Sequence, residues 1–365
     1  MHDEAADSHR PAPEPSPSAP SETAVDYEHS IGLPALLERV GASLVVSTYQ
    51  AGKVITVGTH DGRLVLGFHH FRQAMGLART PTGLAVCTGR EVWLLPAGPP
   101  ALARQVKPAG SHDVCFLARH AHWTGPVHGH DLAHADGRLW LVNTLFNCLC
   151  TIEGDSSFVP RWRPPFVTSL AAGDRCHLNG MAADATGPRY VTLLGESDEV
   201  GGWRPGKATG GCLVDVRTSE VIVRGLAMPH SPRLHAGSLW LLNSGYGRLE
   251  RFDPAARETV PVAALPGYTR GLDCHAGLAF VGLSRIRDTA VFGGLPLDAH
   301  RAELRCGIGV VDLATGEVVG TISFTTGVEE IFDVAVLPGY RNPVIAGPCP
   351  DVDGVETIWL VPAGR

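Results

Sequence analysis

Three fifteen-residue segments of the chain align without gaps, and this repeat restricts the possible folds more than any other feature. The segments are SLVVSTYQAGKVITV (43–57), RLWLVNTLFNCLCTI (138–152) and SLWLLNSGYGRLERF (238–252). Each reads as an apolar strand, a polar turn and a second strand of alternating character. A unit this short cannot bury its apolar face alone, so neighbouring copies are expected to pack against one another.

The similarity extends upstream of the aligned segments. HDLAHADGRLWLVNT begins at His130, HSPRLHAGSLWLLNS at His230, and RGLDCHAGLAFVGLS at Arg270. Weaker copies begin near Met75, Asn179 and Glu330. The copies recur every 40 to 60 residues, which leaves room for about four short strands each and is typical of β-propeller blades. An α/β doubly wound fold would need helices between the strands, and only 33–41 has helical character.

The starting points of the copies predict the number of blades. They lie near residues 75, 130, 179, 230, 270 and 331, which makes six, and the hairpin at 43–57 is interpreted as a further blade without its own first strand. The sequence therefore predicts an all-β chain with a single seven-bladed propeller over residues 31–365, and six blades are the alternative. The C-terminal segment ETIWLVPAGR (356–365) is expected to pair with N-terminal strands and close the ring.

Composition restricts the partners and the location of the protein. Residues 1–30 are rich in Pro, Ala, Ser and acidic side chains, so they are predicted to be a disordered tail without the apolar region of a secretory signal. A net charge of −7 without a basic stripe excludes nucleic acid as an expected partner. No run approaches the ~18 apolar residues of a membrane helix, so no membrane partner is expected. Nine cysteines without a CxxC motif predict free thiols in the cytoplasm, and the oligomeric state is left open.

Polar residues are concentrated where the repeat places one mouth of the propeller channel. The innermost strand of each blade lines the channel, so the residues just before these strands gather around a single mouth. The six segments in this position are FRQAM (71–75), VHGHD (127–131), DRCHLN (174–179), AMPHSP (227–232), GYTRG (267–271) and VEEIFD (328–333). Three consecutive segments each contain a histidine in this position, namely His130, His177 and His230, and the next two contain Arg270 and Glu330.

These three histidines are interpreted as metal ligands. Three imidazoles from neighbouring blades can bind one ion at ~2.0–2.1 Å and leave positions open for water, substrate or oxygen. We predict that His130, His177 and His230 bind a divalent transition metal, with iron preferred and copper, manganese or zinc as alternatives. Asp131 and Asp174 are expected to accept hydrogen bonds from the imidazoles and orient them. The competing interpretations are a metal-free catalytic or binding site and a purely structural use of the histidines.

Charged residues at the same mouth are the other candidates for a catalytic role. Arg270 and Arg175 are predicted either to bind a substrate carboxylate in a bidentate manner or to form ion pairs with Glu330 and Asp174. Glu330 is a candidate metal ligand or general base. The predicted catalytic set is therefore Arg270, Glu330, Asp131 and Asp174.

Three further features have weaker claims on the site. His112 precedes the segment that leads to His130 and is a candidate fourth ligand or base. Cys176 is a candidate nucleophile, although a thiol next to His177 in an extended strand points to the opposite side. The Gly-rich segment 195–211 is long for a hairpin turn and is a candidate lid, with Trp203 as a wall of the substrate cleft.

Several longer motifs resemble a known family. STYQAGK, RLWLVNT, FVPRWRPPF, DRCHLNGMA, MPHSPR, SGYG and FVGLSRIR together resemble a bacterial family of conserved hypothetical proteins classed as a domain of unknown function. The resemblance covers about residues 30–362. It implies no particular reaction, but it supports the treatment of RCHLNG and MPHSPR as motifs.

The function predicted from these residues is a metal-dependent enzyme with a three-histidine site at the channel mouth. Histidine-only ligation at a propeller axis resembles the arrangement in propeller oxygenases that hold iron with histidines. That resemblance implies an oxidative modification, such as hydroxylation or oxidative cleavage, of a peptide or a small polar substrate. The alternatives are a non-catalytic propeller that binds a peptide or protein, and a lyase or hydrolase with or without a metal.

Overall fold

The computed structural model describes residues 24–285 and 293–361. The described chain begins with a short strand, β1 (Tyr27–His29), and a helix, α1 (Leu33–Val40). Pro34 lies in the first turn of α1, and Gly41 ends the helix in the left-handed conformation with φ 61°. No helix in these residues combines the length and the apolar character needed to cross a membrane.

The first blade contains strands from both ends of the chain. β2 (Ala42–Thr48), β3 (Lys53–His60) and β4 (Arg63–His70) follow one another, and β26 (Asp333–Pro338) is the innermost strand of the same sheet. β26 pairs antiparallel with β2 along its whole length. This pairing joins the two ends of the ring, so it removes the sheet edge that an incomplete blade would expose.

Blades 2 to 5 are sheets of four antiparallel strands. Blade 2 contains β5 (Leu77–Thr80), β6 (Gly83–Cys87), β7 (Glu91–Pro96) and β9 (His120–Trp123). Blade 3 contains β10 (Gly129–Ala135), β11 (Arg138–Asn143), β12 (Cys148–Thr151) and β13 (Val159–Trp162). Blade 4 contains β14 (Leu178–Asp184), β15 (Gly187–Leu193), β16 (Gly211–Asp215) and β17 (Glu220–Leu226). Blade 5 contains β18 (Pro229–His235), β19 (Ser238–Asn243), β20 (Arg248–Asp253) and β21 (Glu258–Ala264).

Blade 6 has five strands because the N-terminal strand joins it. Its strands are β22 (Tyr268–His275), β23 (Leu278–Ser284), β24 (Cys306–Asp312), β25 (Val318–Phe324) and, at the outer edge, β1. The predicted tail boundary at residue 30 is therefore corrected, because Tyr27–His29 is paired. Residues 1–23 of the predicted tail lie outside the described residues.

Smaller elements connect and flank the blades. Two short helices are α2 (Pro100–Ala103) and α3 (Pro350–Asp353), and two 3₁₀ segments span Ser244–Tyr246 and Pro296–Glu303. A two-stranded parallel sheet joins β8 (Val114–Leu117) to β27 (Pro343–Ala346).

The propeller has six blades, so the prediction of seven is wrong. The hairpin at 43–57 does have an innermost strand, but β26 supplies it from the other end of the chain. The segment 356–365 does not close the ring: residues 356–361 form no strand, and 362–365 lie outside the described residues. The expectation of an all-β propeller is confirmed.

Apolar side chains pack between the faces of adjacent blades. Between blades 3 and 4, for example, Val142 and Leu149 pack with Met181, Val191 and Leu193, and each of these five side chains is almost completely buried. Burial of such side chains contributes roughly 1.5–3 kcal/mol each. The core is therefore a series of layers around the axis.

Three aspartates on innermost strands connect each of their blades to the next one. The carboxylates accept backbone hydrogen bonds as follows: Asp131 from Met181 at 2.9 Å, Asp273 from Val336 at 2.8 Å, and Asp333 from Leu77 at 2.8 Å. These contacts fix the relative position of neighbouring innermost strands and therefore of the residues at the channel mouth.

The ring closure makes a prediction about truncation. Deletion of residues 348–365 is expected to leave the propeller folded, because β26 and β27 end by Ala346. The main loss is the contact of His70 Nδ1 with Asp353 Oδ1 at 2.5 Å, so we expect a loss of about 1 kcal/mol, roughly 2 °C in Tm. Thermal denaturation followed by circular dichroism measures the change. A truncation after residue 332, which removes β26, is the control and should not fold; loss of cooperative unfolding in the shorter truncation would contradict this account of closure.

Candidate functional site

The three predicted histidines come from adjacent blades, but they do not occupy equivalent positions. His130 and His230 are the second residues of β10 and β18, whereas His177 lies just before β14. The strand pairings place Leu178 opposite Leu193 as they place Gly129 opposite Asn143 and Pro229 opposite Asn243. Asn179 therefore occupies the position equivalent to His130 and His230. His177 lies two residues earlier, so the expectation that the three histidines share one register is corrected.

His177 also has an unusual backbone conformation. Its φ is 52°, in the left-handed region that side chains other than glycine rarely adopt. His128 and Met228, at the equivalent positions of the adjacent blades, have φ values of 53° and 49°. The same strained turn therefore precedes the innermost strand in all three blades, and in blade 4 it carries the histidine itself.

The hydrogen bonds of His130 define its tautomer. Its Nδ1 lies 2.9 Å from the carbonyl oxygen of His128 and 2.8 Å from Thr144 Oγ1. The Thr144 hydroxyl donates its proton to the carbonyl of Leu178 at 2.5 Å, so both neighbours of Nδ1 act as acceptors. Nδ1 must therefore carry the proton, which leaves the lone pair of His130 on Nε2.

His230 is held in the same way. Its Nδ1 donates to the carbonyl oxygen of Met228 at 2.9 Å, with Ser244 Oγ at 3.1 Å and the Tyr268 hydroxyl at 3.4 Å. The carbonyl can only accept, so the proton lies on Nδ1 and the lone pair on Nε2. The side chain of His230 is buried, at 4% exposure.

A carboxylate holds His177. Its Nδ1 lies 2.7 Å from Asp174 Oδ2, and the indole Nε1 of Trp203 donates to the same oxygen at 3.1 Å. The indole ring lies 4.6 Å from the His177 ring. Asp174 Oδ1 is buried and has no hydrogen-bond partner among the described residues. The expected role of Asp174 as the acceptor that orients an imidazole matches this geometry.

The three imidazoles lie in a common, partly desolvated environment. The ring centres of His130 and His177 are 4.8 Å apart in an edge-to-face arrangement, and His130 also packs 5.4 Å from the Phe332 ring. Removal from bulk water lowers the pKa of His130 and of His230 well below the usual range, and Arg270 lowers both further. These two rings are therefore neutral at neutral pH.

Arg270 and Glu330 form the charged side of the site. Arg270 Nη1 lies 3.5 Å from Glu330 Oε1, and the two side chains are 11% and 16% exposed. The guanidinium carbon lies 3.4 Å from the centre of the Phe332 ring, in a cation–π contact. Burial lowers the pKa of Arg270, and Glu330 opposes that effect. Of the two interpretations given above for Arg270, the ion pair with Glu330 is the contact observed.

The chemistry of the donors fits a metal ion better than their spacing does. His130 and His230, which are neutral and carry their protons on Nδ1, present the form of histidine that binds metals. Within residues 24–285 and 293–361, however, no group of three or more His, Cys, Asp or Glu side chains is spaced so that it could hold a metal ion. The rings of His130 and His177 are in contact, but the three histidines do not form a coordination site in these rotamers.

Two other predicted site residues have different roles from those expected. Asp131 does not orient an imidazole, because both of its oxygens bind Arg233, at 2.8 and 3.1 Å. Arg175 lies 3.6 Å from Asp198 rather than pairing with Asp174. In both cases the side chain pairs with the opposite charge that the fold places nearest to it.

The weaker candidates lie away from the imidazole cluster or are unreactive. His112 Nδ1 lies 3.3 Å from the carbonyl oxygen of Asn342, which follows blade 1 in the chain. Cys176 is completely buried, and burial raises the pKa of its thiol to about 12, which excludes an activated nucleophile. Trp203 does border the site, as expected for the segment 195–211.

Two aromatic residues of the site were missed from the sequence. Tyr268 packs 5.8 Å from the His230 ring, and Phe332 lies between His130 and Arg270. Both stand in the segments predicted to form the channel mouth, GYTRG and VEEIFD. Their position in those segments was the available signal, but aromatic residues at strand starts more often serve only the core.

Comparisons with known proteins give a family and a fold but no activity. A family model described as a domain of unknown function (DUF4915) matches residues 31–346. A protein of unknown function from Bacteroides caccae has a similar structure, with a TM-score of 0.50 and 9% identity over 81% of this chain and 99% of that one. A chain of the nidogen/laminin complex gives a TM-score of 0.47 and 9% identity over 82% and 99%. No curated protein matches the sequence.

Proposed function

We propose that this chain, which belongs to the DUF4915 family of unknown function, is a metal-dependent enzyme whose reaction centre is the cluster of His130, His177 and His230. One observation carries the proposal: each ring is held through Nδ1 by an acceptor of the protein. Ligating histidines almost always donate the other ring N–H to a carboxylate or a carbonyl, which orients the ring and raises its basicity. Purely structural histidines have no need to share this pattern.

Metal binding at the cluster requires the side chains to move. The donors have the right chemistry, but the rings would have to rotate so that their Nε2 atoms converge on a common point. A bound transition metal would supply an open position at which oxygen or water is activated, and we retain iron as the preferred ion, with copper, manganese or zinc as alternatives.

The remaining side chains of the site are proposed to bind and orient the substrate. Arg270 lies over the Phe332 ring, and its long 3.5 Å contact with Glu330 leaves donors for a substrate carboxylate. Phe332 and Trp203 form apolar walls that exclude water beside His130 and His177. We therefore propose a small polar substrate or a peptide with a carboxylate, and an oxidative modification as the reaction.

A metal-free acid–base enzyme is the second candidate. It is favoured by the pair of His177 and Asp174, in which a carboxylate holds Nδ1–H at 2.7 Å and leaves Nε2 as the base. In this version a lyase or hydrolase reaction would use His177 as the general base, while Arg270 binds the substrate. A propeller that only binds a peptide or protein, and a cytoplasmic location, remain predictions from the sequence.

Metal analysis of the purified protein tests the proposal. The protein is prepared without chelator, reconstituted anaerobically with Fe²⁺, and in parallel with Cu²⁺, Mn²⁺ and Zn²⁺, and the bound metal is measured by mass spectrometry. We expect close to one ion per chain, and less than a tenth of that in His177→Ala and His230→Ala. His120→Ala, which changes an exposed histidine of β9, is the matched control and should keep the metal. Protein that binds no metal under any of these conditions would reject the proposal in favour of the metal-free candidates.

The carboxylate beside His177 gives a second prediction. Asp174→Asn keeps the size of the side chain but weakens the hydrogen bond to Nδ1, so metal affinity is expected to fall about 10–100-fold. Competition with a chelator of known affinity measures the change. Asp184→Asn, which alters an exposed acid of blade 4, is the control and should leave the affinity unchanged. Equal affinities of Asp174→Asn and the wild type would show that Asp174 does not orient a ligand.

A further inference from the structure

The central channel is divided by an arginine. Arg233 extends from β18 across the axis, where it donates to both oxygens of Asp131 on β10 and lies 3.5 Å from Asp333 Oδ1 on β26. Its Nη1 also donates to the carbonyl oxygens of Met181 and Pro232. Both Nη atoms of Arg233 are therefore engaged by the protein, and the guanidinium lies between the mouth that carries the histidines and the opposite half of the channel.

The opposite half of the channel contains a cavity of about 270 Å³. All six innermost strands contribute to its lining, which combines small or apolar side chains, such as Ala133, Ala183 and Leu234, with the polar and charged groups of Arg79, His134, Arg233 and Asp273. Leu234, at the same cavity, is 37% exposed, so the cavity opens to solvent. An apolar cavity of roughly 150 Å³ accommodates benzene, so this one has room for a ligand of on the order of ten non-hydrogen atoms.

Two opposite charges stand side by side in this lining. Arg79 on β5 and Asp273 on β22 approach to 3.8 Å between Nη2 and Oδ2, which is longer than a hydrogen bond. The side chain of Arg79 is half exposed, and its guanidinium makes no hydrogen bond with any of the described residues. Asp273 is held by the backbone N–H groups of Cys274 and Val336, at 2.8 Å each, and its side chain remains 17% exposed. Both groups therefore retain capacity for a ligand.

We propose that this cavity binds a free α-amino acid with an apolar side chain. The ammonium and carboxylate groups of an α-amino acid are separated by a single carbon atom, which suits a guanidinium and a carboxylate that are immediate neighbours. The ligand carboxylate would bind Arg79, the ammonium group would bind Asp273, and the side chain would pack against the accessible lining side chains of Ala133, Ala183 and Leu234. Sites for small ligands commonly combine mostly apolar walls with a few convergent polar groups in this way.

The charges of Arg79 and Asp273 together disfavour ligands that carry only a negative or only a positive charge. An organic anion could bind Arg79 but would place its charge beside Asp273, and an amine would place its charge beside Arg79. Both Nη atoms of Arg233 are already engaged by Asp131 and two carbonyl groups, so Arg79 is the guanidinium better placed to bind an anion in this cavity. A zwitterion alone satisfies both exposed charges, and its binding does not depend on the histidine cluster.

Thermal shift and isothermal titration calorimetry on the full-length protein test this inference. L-leucine, L-methionine and L-phenylalanine are compared with 4-methylpentanoate, which lacks the ammonium group, with 3-methylbutylamine, which lacks the carboxylate, and with glycine, which lacks the side chain. We expect at least one of the three amino acids to raise Tm in a concentration-dependent manner, and each incomplete analogue to bind about 10-fold more weakly or worse.

Variants identify the site of binding. Arg79→Gln and Asp273→Asn are expected to weaken the amino acid about 10–100-fold, because each removes a charged hydrogen-bond partner. Arg63→Gln, which changes an exposed arginine of β4, is the matched control and should bind as the wild type does. His177→Ala should also bind normally, which keeps this result separate from the metal analysis. No shift with any amino acid, equal binding of an incomplete analogue, or unchanged binding by Arg79→Gln would each overturn the inference.

Discussion

Replacement of Arg233 by Met is expected to lower the free energy of unfolding by about 3–5 kcal/mol at neutral pH. The side chain is only 17% exposed, and its partners Asp131 and Asp333 are each 4% exposed. Burial opposes the charge of Arg233, yet the two carboxylates raise its pKa, so the three groups act as one unit. Without the guanidinium, two carboxylates remain in the channel with no opposite charge, and removal of one partner of a buried pair is strongly destabilising.

Chemical denaturation of matched variants measures this effect. Arg224→Met is the control, because Arg224 also forms a two-point contact with Glu196 but is 63% exposed, and exposed pairs contribute about 0–1 kcal/mol. Combining Arg233→Met with Asp131→Asn and Asp333→Asn should recover part of the loss, because the stranded charges are then absent. If Arg233→Met and Arg224→Met destabilise equally, the ion cluster does not hold the blades together.

The ion cluster of Arg233, Asp131 and Asp333 also helps to position the residues of the histidine site. Asp131 follows His130 directly, and Asp333 follows Phe332, so one imidazole and one aromatic wall of the site are attached to residues that Arg233 holds. Arg233 also lies between the histidine mouth and the opposite half of the channel. The chemistry proposed for one mouth and the binding proposed for the other can therefore be tested with separate variants.

The sequence predicted the innermost strands because they repeat locally. All six predicted starts lie within a few residues of an observed innermost strand, from β5 to β26. Each copy contains an apolar strand, a turn and a partner strand close in sequence, so its pattern can be recognised without knowledge of distant pairings.

Ring closure could not be predicted in the same way. The pairing of β2 with β26 joins residues almost 300 positions apart. The apolar pattern of a strand does not indicate which distant strand it will pair with. The hairpin at 43–57 therefore looked like an incomplete blade of its own. Every blade needs an innermost strand beside its hairpin, but the sequence pattern does not show that the C-terminal part of the chain supplies this strand to the first blade.

The site was predicted at the level of segments rather than side-chain contacts. His130, His177 and His230 were found because they begin three successive copies, but the two-residue offset of His177 depends on strand pairing. Arg233 stands in the MPHSPR motif, yet its partners lie about 100 residues away on two other blades. Such contacts follow from the twist and size of the assembled ring, which no local pattern encodes.

Asp333 is expected to make the free energy of unfolding depend strongly on pH. Burial, opposed by Arg233 and assisted by nearby Asp131, raises the pKa of this carboxyl to about 7. In the unfolded chain an aspartate titrates near pH ~3.9. Between these values the folded protein holds a proton that the unfolded chain releases. Asp333 therefore contributes most stability at low pH, and this contribution is lost as the pH rises toward 7.

Other buried groups act in the opposite direction, so the effect of Asp333 must be measured as a difference between proteins. Burial lowers the pKa of His69 to about 4 and lowers those of His130 and His230, which destabilises the fold as the pH falls below ~6.5. These terms are common to the wild type and to Asp333→Asn, and they cancel when the two unfolding free energies are subtracted at each pH.

Asp333→Asn imitates the protonated carboxyl at every pH, so its stability relative to the wild type should increase from pH 4 to pH 7. A shift of about three pH units at about 1.4 kcal/mol each sets an upper limit of about 4 kcal/mol for this relative change. Urea denaturation at half-unit steps of pH measures the two curves, with Asp61→Asn, an acid whose side chain is 87% exposed, as the control. Parallel curves for Asp333→Asn and the wild type would show that Asp333 is already ionised at pH 4, and hence that Arg233 neutralises both carboxylates of the channel.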